Sequence, residues 1–180
     1  NPLISVCCKA GGAARKAKAD FILGIGGGSV LDGSKAIAFY ASNPDLAPID
    51  IYKREYDNAP LPVALIGTTA GTGSETTLAA VITDNKTHHK YPINDFSLIP
   101  HYTLLDYHLT LGLNQKITST TGMDALTHSV EAYIGQSTTH QTRQASIESI
   151  KLIKENLVKV YDNGQNTTAR QNMLKSSYLA

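Results

Sequence analysis

The sequence predicts an α/β protein in two parts, a parallel-sheet part followed by an all-helical part, both incomplete. Three observations predict this. Short apolar runs closed by glycines alternate with helical stretches up to about residue 109, as strands, turns and helices do in a parallel sheet. From Lys116 onward only helical periodicity remains. The chain opens on Asn1-Pro2 with no initiating Met and stops at "LKSSYLA", so both ends look cut and an internal piece of a longer protein is expected. The two parts are expected at residues 1–109 and 110–180.

The elements follow in order. Asn1 and Pro2 suit an N-cap and first helical position. Val6, Ala10, Ala13, Ala14 and Ala17 then recur at helical spacing, which predicts a helix over 2–18. Phe21 to Ile25 is a continuous apolar run that suits a buried parallel strand. Ser29 opens a second helix, and 43–60, with three prolines, is loop-like. "LPVALIG" (61–67), "LAAVITD" (78–84) and "YTLLD" (102–106) are expected strands, with "NKTHHK" a turn. In the helical part, Ile147, Ile150, Ile153, Leu157 and Tyr161 form an apolar stripe, and Gly164 marks a helix stop.

Composition excludes several classes. Sixteen basic and fifteen acidic residues give a net charge of +1, which offers no electrostatic footprint for nucleic acid. No apolar run approaches a bilayer span, and no signal pattern opens the chain, so a cytoplasmic protein without a membrane partner is expected. Cys7 and Cys8 are adjacent and lack a C-x-x-C spacing. Two reduced thiols, one buried in a helix face, are expected.

Chemistry concentrates in two loops and one helix. "GIGGGS" (24–29) lies between an apolar strand and a helix, where glycines let a ligand approach the backbone and the helix N-terminus offers N–H groups to an anion. Asp32 falls in the first turn of that helix. Ser29 replaces the last glycine of a full G-x-G-x-x-G, so a tight turn alone explains the triplet about as well. Thr68, Thr69, Thr72 and Ser74, with Gly71 and Gly73, build a second loop after another strand. Ligands of open α/β sheets bind off the carboxyl ends of strands, so two such loops point to one crevice.

In "TGMDALTHSVEAY" (121–133), Asp124, His128 and Glu131 lie at i, i+4, i+7 on one helix face. Imidazole with carboxylate suits Fe(II), Zn(II) or another borderline divalent ion. By spacing alone, an Asp near a helix start and a half-buried His are the more ordinary reading. His88, His89, His101, His108 and His140 have no spacing that demands a metal.

Taken together, "GGGSVLDGSKAIA", "TTAGTGSE" and "TGMDALTHSVEAY" resemble, in that order, the iron-containing (group III) alcohol dehydrogenase family of the dehydroquinate-synthase-like fold. The resemblance covers nearly the whole chain. Ser29, where a glycerol dehydrogenase would show Lys, argues against that branch. The resemblance implies an N-terminal Rossmann-like domain binding NAD or NADP and a C-terminal helical domain binding Fe(II), with Zn(II) as a substitute. It implies that Gly26, Gly27, Gly28 and Ser29 hold the pyrophosphate, and that Asp32 supports that turn or approaches the cofactor. Thr68 and Thr69 would sit by the phosphates and the nicotinamide side, and Lys90 would reach the ribose. Asp124 and His128 would be the first two of four metal ligands, the others being histidines further downstream than this chain extends. The implied reaction is hydride transfer between a small alcohol and its aldehyde or ketone. No proton relay is assigned, and a homo-oligomer stays open. The alternative is a non-catalytic fragment or binding module that keeps the fold but lacks two ligands.

Overall fold

The computed structural model describes residues 1–53 and 57–180. It divides into two compact units, Asn1–Ile66 with Ser74–Leu104, and Gly67–Gly73 with Leu105–Ala180. The short segment Gly67–Gly73 therefore groups with the helices although it follows a strand.

The first unit is the mixed α/β part. Helix α1 spans Ile4–Lys16, strand β1 Ile22–Gly26, helix α2 Gly28–Ser42 and strand β2 Val63–Gly67. Strands β3 (Ala79–Thr83), β4 (Lys90–Asn94) and β5 (Tyr102–Leu104) follow. One sheet has the order β1-β2-β5, with β2 and β5 parallel and Ala64, Leu65 and Ile66 opposite Tyr102, Thr103 and Leu104. β3 and β4 form a separate antiparallel pair.

Helix α2 is the centre of this unit. On one side Leu31 and Ala38 pack on Val63 and Leu65 of the sheet. On the other, Ala36, Phe39 and Tyr40 join Ile4 and Cys7 of α1 and Ala80, Ile82 and Ile93 of the hairpin. Gly11 allows the close approach of α1, because a Cβ there would lie 2.4 Å from Tyr40 Cβ. The Arg15 guanidinium closes the crossing by donating to the carbonyl oxygen of Tyr40.

Three expectations need correction. Asn1 and Pro2 do not cap α1. They run beside β3, where Asn1 Nδ2 donates to the Val81 carbonyl and Thr83 N–H donates to that of Pro2. The free edge of β3 offers these groups partners that a helix start would leave in water. Strand β4 begins on Lys90, the last residue of the expected turn "NKTHHK", and continues through residues for which no element was expected. Pro92 stands in it opposite Val81, which an edge strand tolerates because it needs no further donor there. Strand β1 is covered on one face only: Gly24 is buried under α2, while Leu23 and Ile25 are 51% and 52% exposed.

The second unit is helical, with α3 (Gln115–Ile134), α4 (His140–Asp162) and α5 (Thr167–Leu179). Each begins on a side-chain cap: Asn114 accepts from Ile117 N–H, Thr139 from Thr142 N–H and Asn166 from Ala169 N–H. Ala125, Ile153, Val160, Ala169, Met173 and Leu174 form its core. The buried stripe of α4 differs from the expected one. It runs through Ser146, Ser149, Ile153, Asn156 and Val160, while Ile147 and Tyr161 face outward. Small residues let the helices approach closely, and their hydroxyls are satisfied there. Ser129 Oγ donates to Ser149 Oγ at 2.8 Å, and Ser149 Oγ donates to the Ser176 carbonyl at 2.8 Å. An apolar count misses a seam built this way.

Candidate functional site

The glycine turn lies where β1 passes into α2. Gly24 has no room for a side chain, since a Cβ would meet Ser34 Oγ at 2.4 Å, and a Cβ on Gly26 would meet Val30 Cβ at 2.6 Å. Gly27 takes the N-cap position in extended conformation, and no side chain caps the helix. Val30 and Leu31 N–H groups turn back to the Gly27 carbonyl. The N–H groups of Gly28 and Ser29 open the helix at a surface where Ser29 is exposed. A fifteen-residue helix that starts uncapped after a glycine turn suits an anionic group. The residues present fit a dinucleotide's phosphates.

Asp32 and Lys35 organise what lies beside that turn. The Asp32 carboxylate accepts from Ser74 Oγ at 2.6 Å and from Val81 N–H at 2.9 Å, so both of its oxygens hold protein groups. Lys35 is wholly buried. Its ammonium donates to the Thr77 carbonyl at 2.8 Å, to Thr77 Oγ1 at 3.1 Å and to the Ala79 carbonyl at 2.8 Å. Burial pulls its pKa down to about 8, against the opposing pull of Asp32 and Glu75. Glu75 is buried beside it, and burial raises its pKa. The Glu75 carbonyl accepts from Thr103 Oγ1 at 2.6 Å, which ties this end of the loop to β5. Neither Lys35 nor Glu75 stood out in the sequence. The one available signal was a lone lysine inside the small and apolar run "GSKAIAFYA", one helical turn after Asp32.

Thr68 and Thr69 leave the end of β2, half-buried. The segment they belong to packs on α3: a Cβ at Gly71 would lie 2.8 Å from Thr121 Cβ and 2.9 Å from the Thr121 carbonyl oxygen. Gly71 is needed for that approach, and Ala70 beside it enters the helical core.

The same helix carries the carboxylate–imidazole pair. Asp124 lies well inside α3, whose cap is Asn114, so the capping role that spacing left open is removed. His128 Nε2 and Asp124 Oδ1 are 3.8 Å apart, with side chains 40% and 43% exposed. Metal–nitrogen and metal–oxygen bonds of about 2.1 Å each allow one ion to touch both. Both donors suit Fe(II) or Zn(II). Among the described residues no group of three or more His, Cys, Asp and Glu comes together that could hold an ion. Glu131 is exposed one turn on.

The remaining candidates lie elsewhere. Lys90 opens β4, exposed, opposite Thr83. His108 Nδ1 lies 2.7 Å from Asp106 Oδ1 at the start of a short 3-10 turn, and His101 Nδ1 accepts from Val63 N–H at 3.4 Å. Both cysteines are free thiols. Cys7 is buried in α1, and burial pushes its pKa up to about 11, so it is inert packing. No described helix is long and apolar enough to cross a membrane.

The comparison with known families decides what these parts belong to. The model of "Iron-containing alcohol dehydrogenase" matches residues 1–107, and that of the family's C-terminal part matches residues 118–180. The chain belongs to the iron-containing alcohol dehydrogenase family. It is 38% identical over 179 residues to the probable alcohol dehydrogenase EutG of Salmonella typhimurium, covering 99% of this chain and 45% of that protein. It is 40% identical over 163 residues to the NAD-dependent methanol dehydrogenase of Bacillus methanolicus, covering 89% and 42%. Among solved structures, the iron-containing alcohol dehydrogenase of Thermotoga maritima superposes with a TM-score of 0.92 at 37% identity, over 99% of this chain and 48% of that one. The sulfoacetaldehyde reductase of Bifidobacterium kashiwanohense, solved with NAD+, gives 0.92 at 30%, over 99% and 48%. The chain thus spans under half the length of these family members.

Proposed function

We propose that the whole protein is an NAD(P)-dependent, metal-dependent alcohol dehydrogenase that interconverts a small alcohol and its aldehyde or ketone. The observation that carries this reading is the α3 pair: Asp124 and His128 share one face, in mid-helix, 3.8 Å apart. The uncapped start of α2 after the glycine turn supports the nucleotide half. The family's relatives support the substrate class, since their names include a methanol and a 1,3-propanediol dehydrogenase.

In this reading Gly26, Gly27, Gly28 and Ser29 receive the pyrophosphate with their backbone. Thr68 and Thr69 add hydroxyl donors by the phosphates and the nicotinamide side. Asp32 supports the turn by holding Ser74 and Val81. Lys90 reaches the ribose. Asp124 and His128 ligate Fe(II), with Zn(II) a substitute. When bound, the metal supplies Lewis-acid polarisation of the substrate oxygen and the nicotinamide supplies or accepts the hydride. Residues of this chain bind and orient both groups. The protein works in the cytoplasm, without nucleic acid or membrane partners.

Calorimetric titration of the whole protein with NAD and NADP tests the reading, together with alcohol-dependent reduction of the nucleotide after anaerobic loading with Fe(II). Binding of one nucleotide and turnover that needs the metal are expected. Failure to bind either nucleotide would overturn the proposal.

One observation favours a second reading for the 180-residue chain by itself. Only two ligands come together on α3 among the described residues. The isolated chain is then a binding module without turnover, and metal-dependent alcohol oxidation by it that is lost in Asp124→Ala or His128→Ala would exclude that.

A further inference from the structure

Lys35 is a charged side chain with no surface role. It is buried outright in the middle of α2, and all three of its ammonium hydrogens have an oxygen acceptor. Those acceptors belong to Thr77 and Ala79, at the point where the Gly/Thr loop ends and β3 begins. Asp32 on the same helix and Glu75 on the loop supply the opposing negative charge. Asp32 also holds the loop directly, through Ser74 Oγ and, just beyond it, Val81 N–H. The far end of the loop leaves β2, which is hydrogen-bonded into the sheet. The loop therefore has two fixed ends, one set by strand pairing and one set by a buried ammonium.

A buried lysine is costly, and an apolar residue would fill the same space at less cost. What the ammonium adds is direction. Three donors from one point fix the Thr77 and Ala79 carbonyls and the Thr77 hydroxyl in one arrangement, and that hydroxyl donates in turn to the Ala79 carbonyl at 3.2 Å.

We propose that Lys35 is a positioning residue for the nucleotide: it fixes the exit of the 68–77 loop against α2, so that the loop's hydroxyl and amide donors meet the dinucleotide in a single arrangement. This rests on the nucleotide reading above. Lys35 itself touches no ligand in this scheme. It acts through Thr77 and Ala79, and Asp32 acts in parallel through Ser74.

Two measurements on the whole protein separate the proposal from the reading on which it rests. The first needs no ligand: amide hydrogen exchange over 68–77 in Lys35→Met is expected to accelerate at least tenfold, while α4 and α5 keep their protection. The second is a nucleotide titration with steady-state kinetics. Lys35→Met is expected to raise the Kd and KM for the nucleotide about tenfold, with a much smaller change in kcat at saturating nucleotide. Should that variant fail to fold, Thr77→Val removes one acceptor of the Lys35 ammonium together with the hydroxyl's own donation to the Ala79 and Ser74 carbonyls, and is expected to weaken binding roughly threefold, whereas Thr77→Ser keeps the hydroxyl and restores it. Unchanged loop exchange, or unchanged nucleotide affinity in both Lys35→Met and Thr77→Val, would overturn the positioning role. A wild-type protein that binds neither NAD nor NADP would overturn the nucleotide reading instead, and with it the link from loop to ligand.

Discussion

Asp32 Oδ1 and Ser74 Oγ, 42 residues apart in sequence, share a 2.6 Å hydrogen bond that joins the second turn of α2, not the first turn expected for Asp32, to the Gly/Thr loop. The other carboxylate oxygen accepts from Val81 N–H. Asn at position 32 can keep the acceptor for Val81 N–H, but its uncharged amide loses the charge-assisted bond that the carboxylate accepts from Ser74 Oγ. Asp32→Asn is therefore expected to cost about 1–3 kcal/mol, with nucleotide affinity falling as well. A urea midpoint identical to wild type would contradict this role.

Asp124 and His128 are half-exposed and bear little of the packing of α3. Replacing either by Ala is expected to leave stability within about 0.5 kcal/mol. Even outer partners of metal ligands typically carry about 10–100-fold in affinity, so each loss of a direct ligand in the whole protein should cost at least as much. Metal analysis after dialysis, paired with thermal melts, checks both halves of this expectation.

Gly11 and Gly12 are neighbours in α1 with opposite surroundings. A Cβ at Gly11 would press on Tyr40, including backbone carbon at 2.9 Å, whereas at Gly12 it would meet only Arg15 Nη2 at 3.9 Å. Gly11→Ala is expected to destabilise by about 1–3 kcal/mol through overpacking. Gly12→Ala is expected to stabilise by up to about 1 kcal/mol through helix propensity. Equal denaturation midpoints for the two variants would refute the described crossing of α1 and α2.

Two buried ionisable groups, Lys35 and Glu75, give stability a pH signature at both ends. Lys35 is held at about 8 against 10.5 for the unfolded chain, so between these values the unfolded state binds more protons and stability rises with pH. That contribution is lost again as pH falls through about 8. Glu75 is shifted the other way: its contribution is complete below 4.5 and disappears as pH rises to its higher folded value. Lys35→Met should abolish the alkaline rise, and Glu75→Gln the acid-side fall, in midpoints measured across the pH range. An alkaline rise that survives Lys35→Met would assign it to another group.

How much of this was legible in the sequence depended on which physics placed each residue. The alternation of strands and helices was readable because burial period and glycine turns are local signals, and Phe21–Ile25 and "LPVALIG" carried them clearly. The α3 pair was readable because i, i+4 spacing is a property of one helix. Lys35 was not, because its role depends on carbonyls 42 and 44 residues away. The α4 stripe was misread for a related reason: Ser146, Ser149 and Asn156 are buried by partners on other helices, and polarity alone assigns them to solvent. Asn1 and Pro2 were misread because the edge of β3 competes for them, a competition that no local cap rule contains.

Among the described residues, one apolar face of the sheet β1-β2-β5 is exposed, formed by Leu23, Ile25, Tyr102 and Leu104. Parallel sheets are ordinarily buried on both faces. The 180-residue chain on its own is expected to self-associate through it, eluting above monomer size in gel filtration with light scattering. Leu23→Lys with Ile25→Lys should shift it toward monomer. A monodisperse monomer from the unaltered chain would show that this face is tolerated in water.

The contact of Gly71 with Thr121 has a consequence for what α3 can accept during divergence. The helix advances about 1.5 Å and turns about 100° per residue, so the loop contact and the ligand pair are kept in phase by counting alone. Substitutions between Thr121 and Asp124 leave that count intact. A single inserted or deleted residue there would swing Asp124 and His128 around the helix relative to the loop. This stretch of α3 should therefore keep its length among relatives, with exposed Met123 free to vary and Gly122 held small, because a Cβ there would lie 2.4 Å from Leu157 Cδ1.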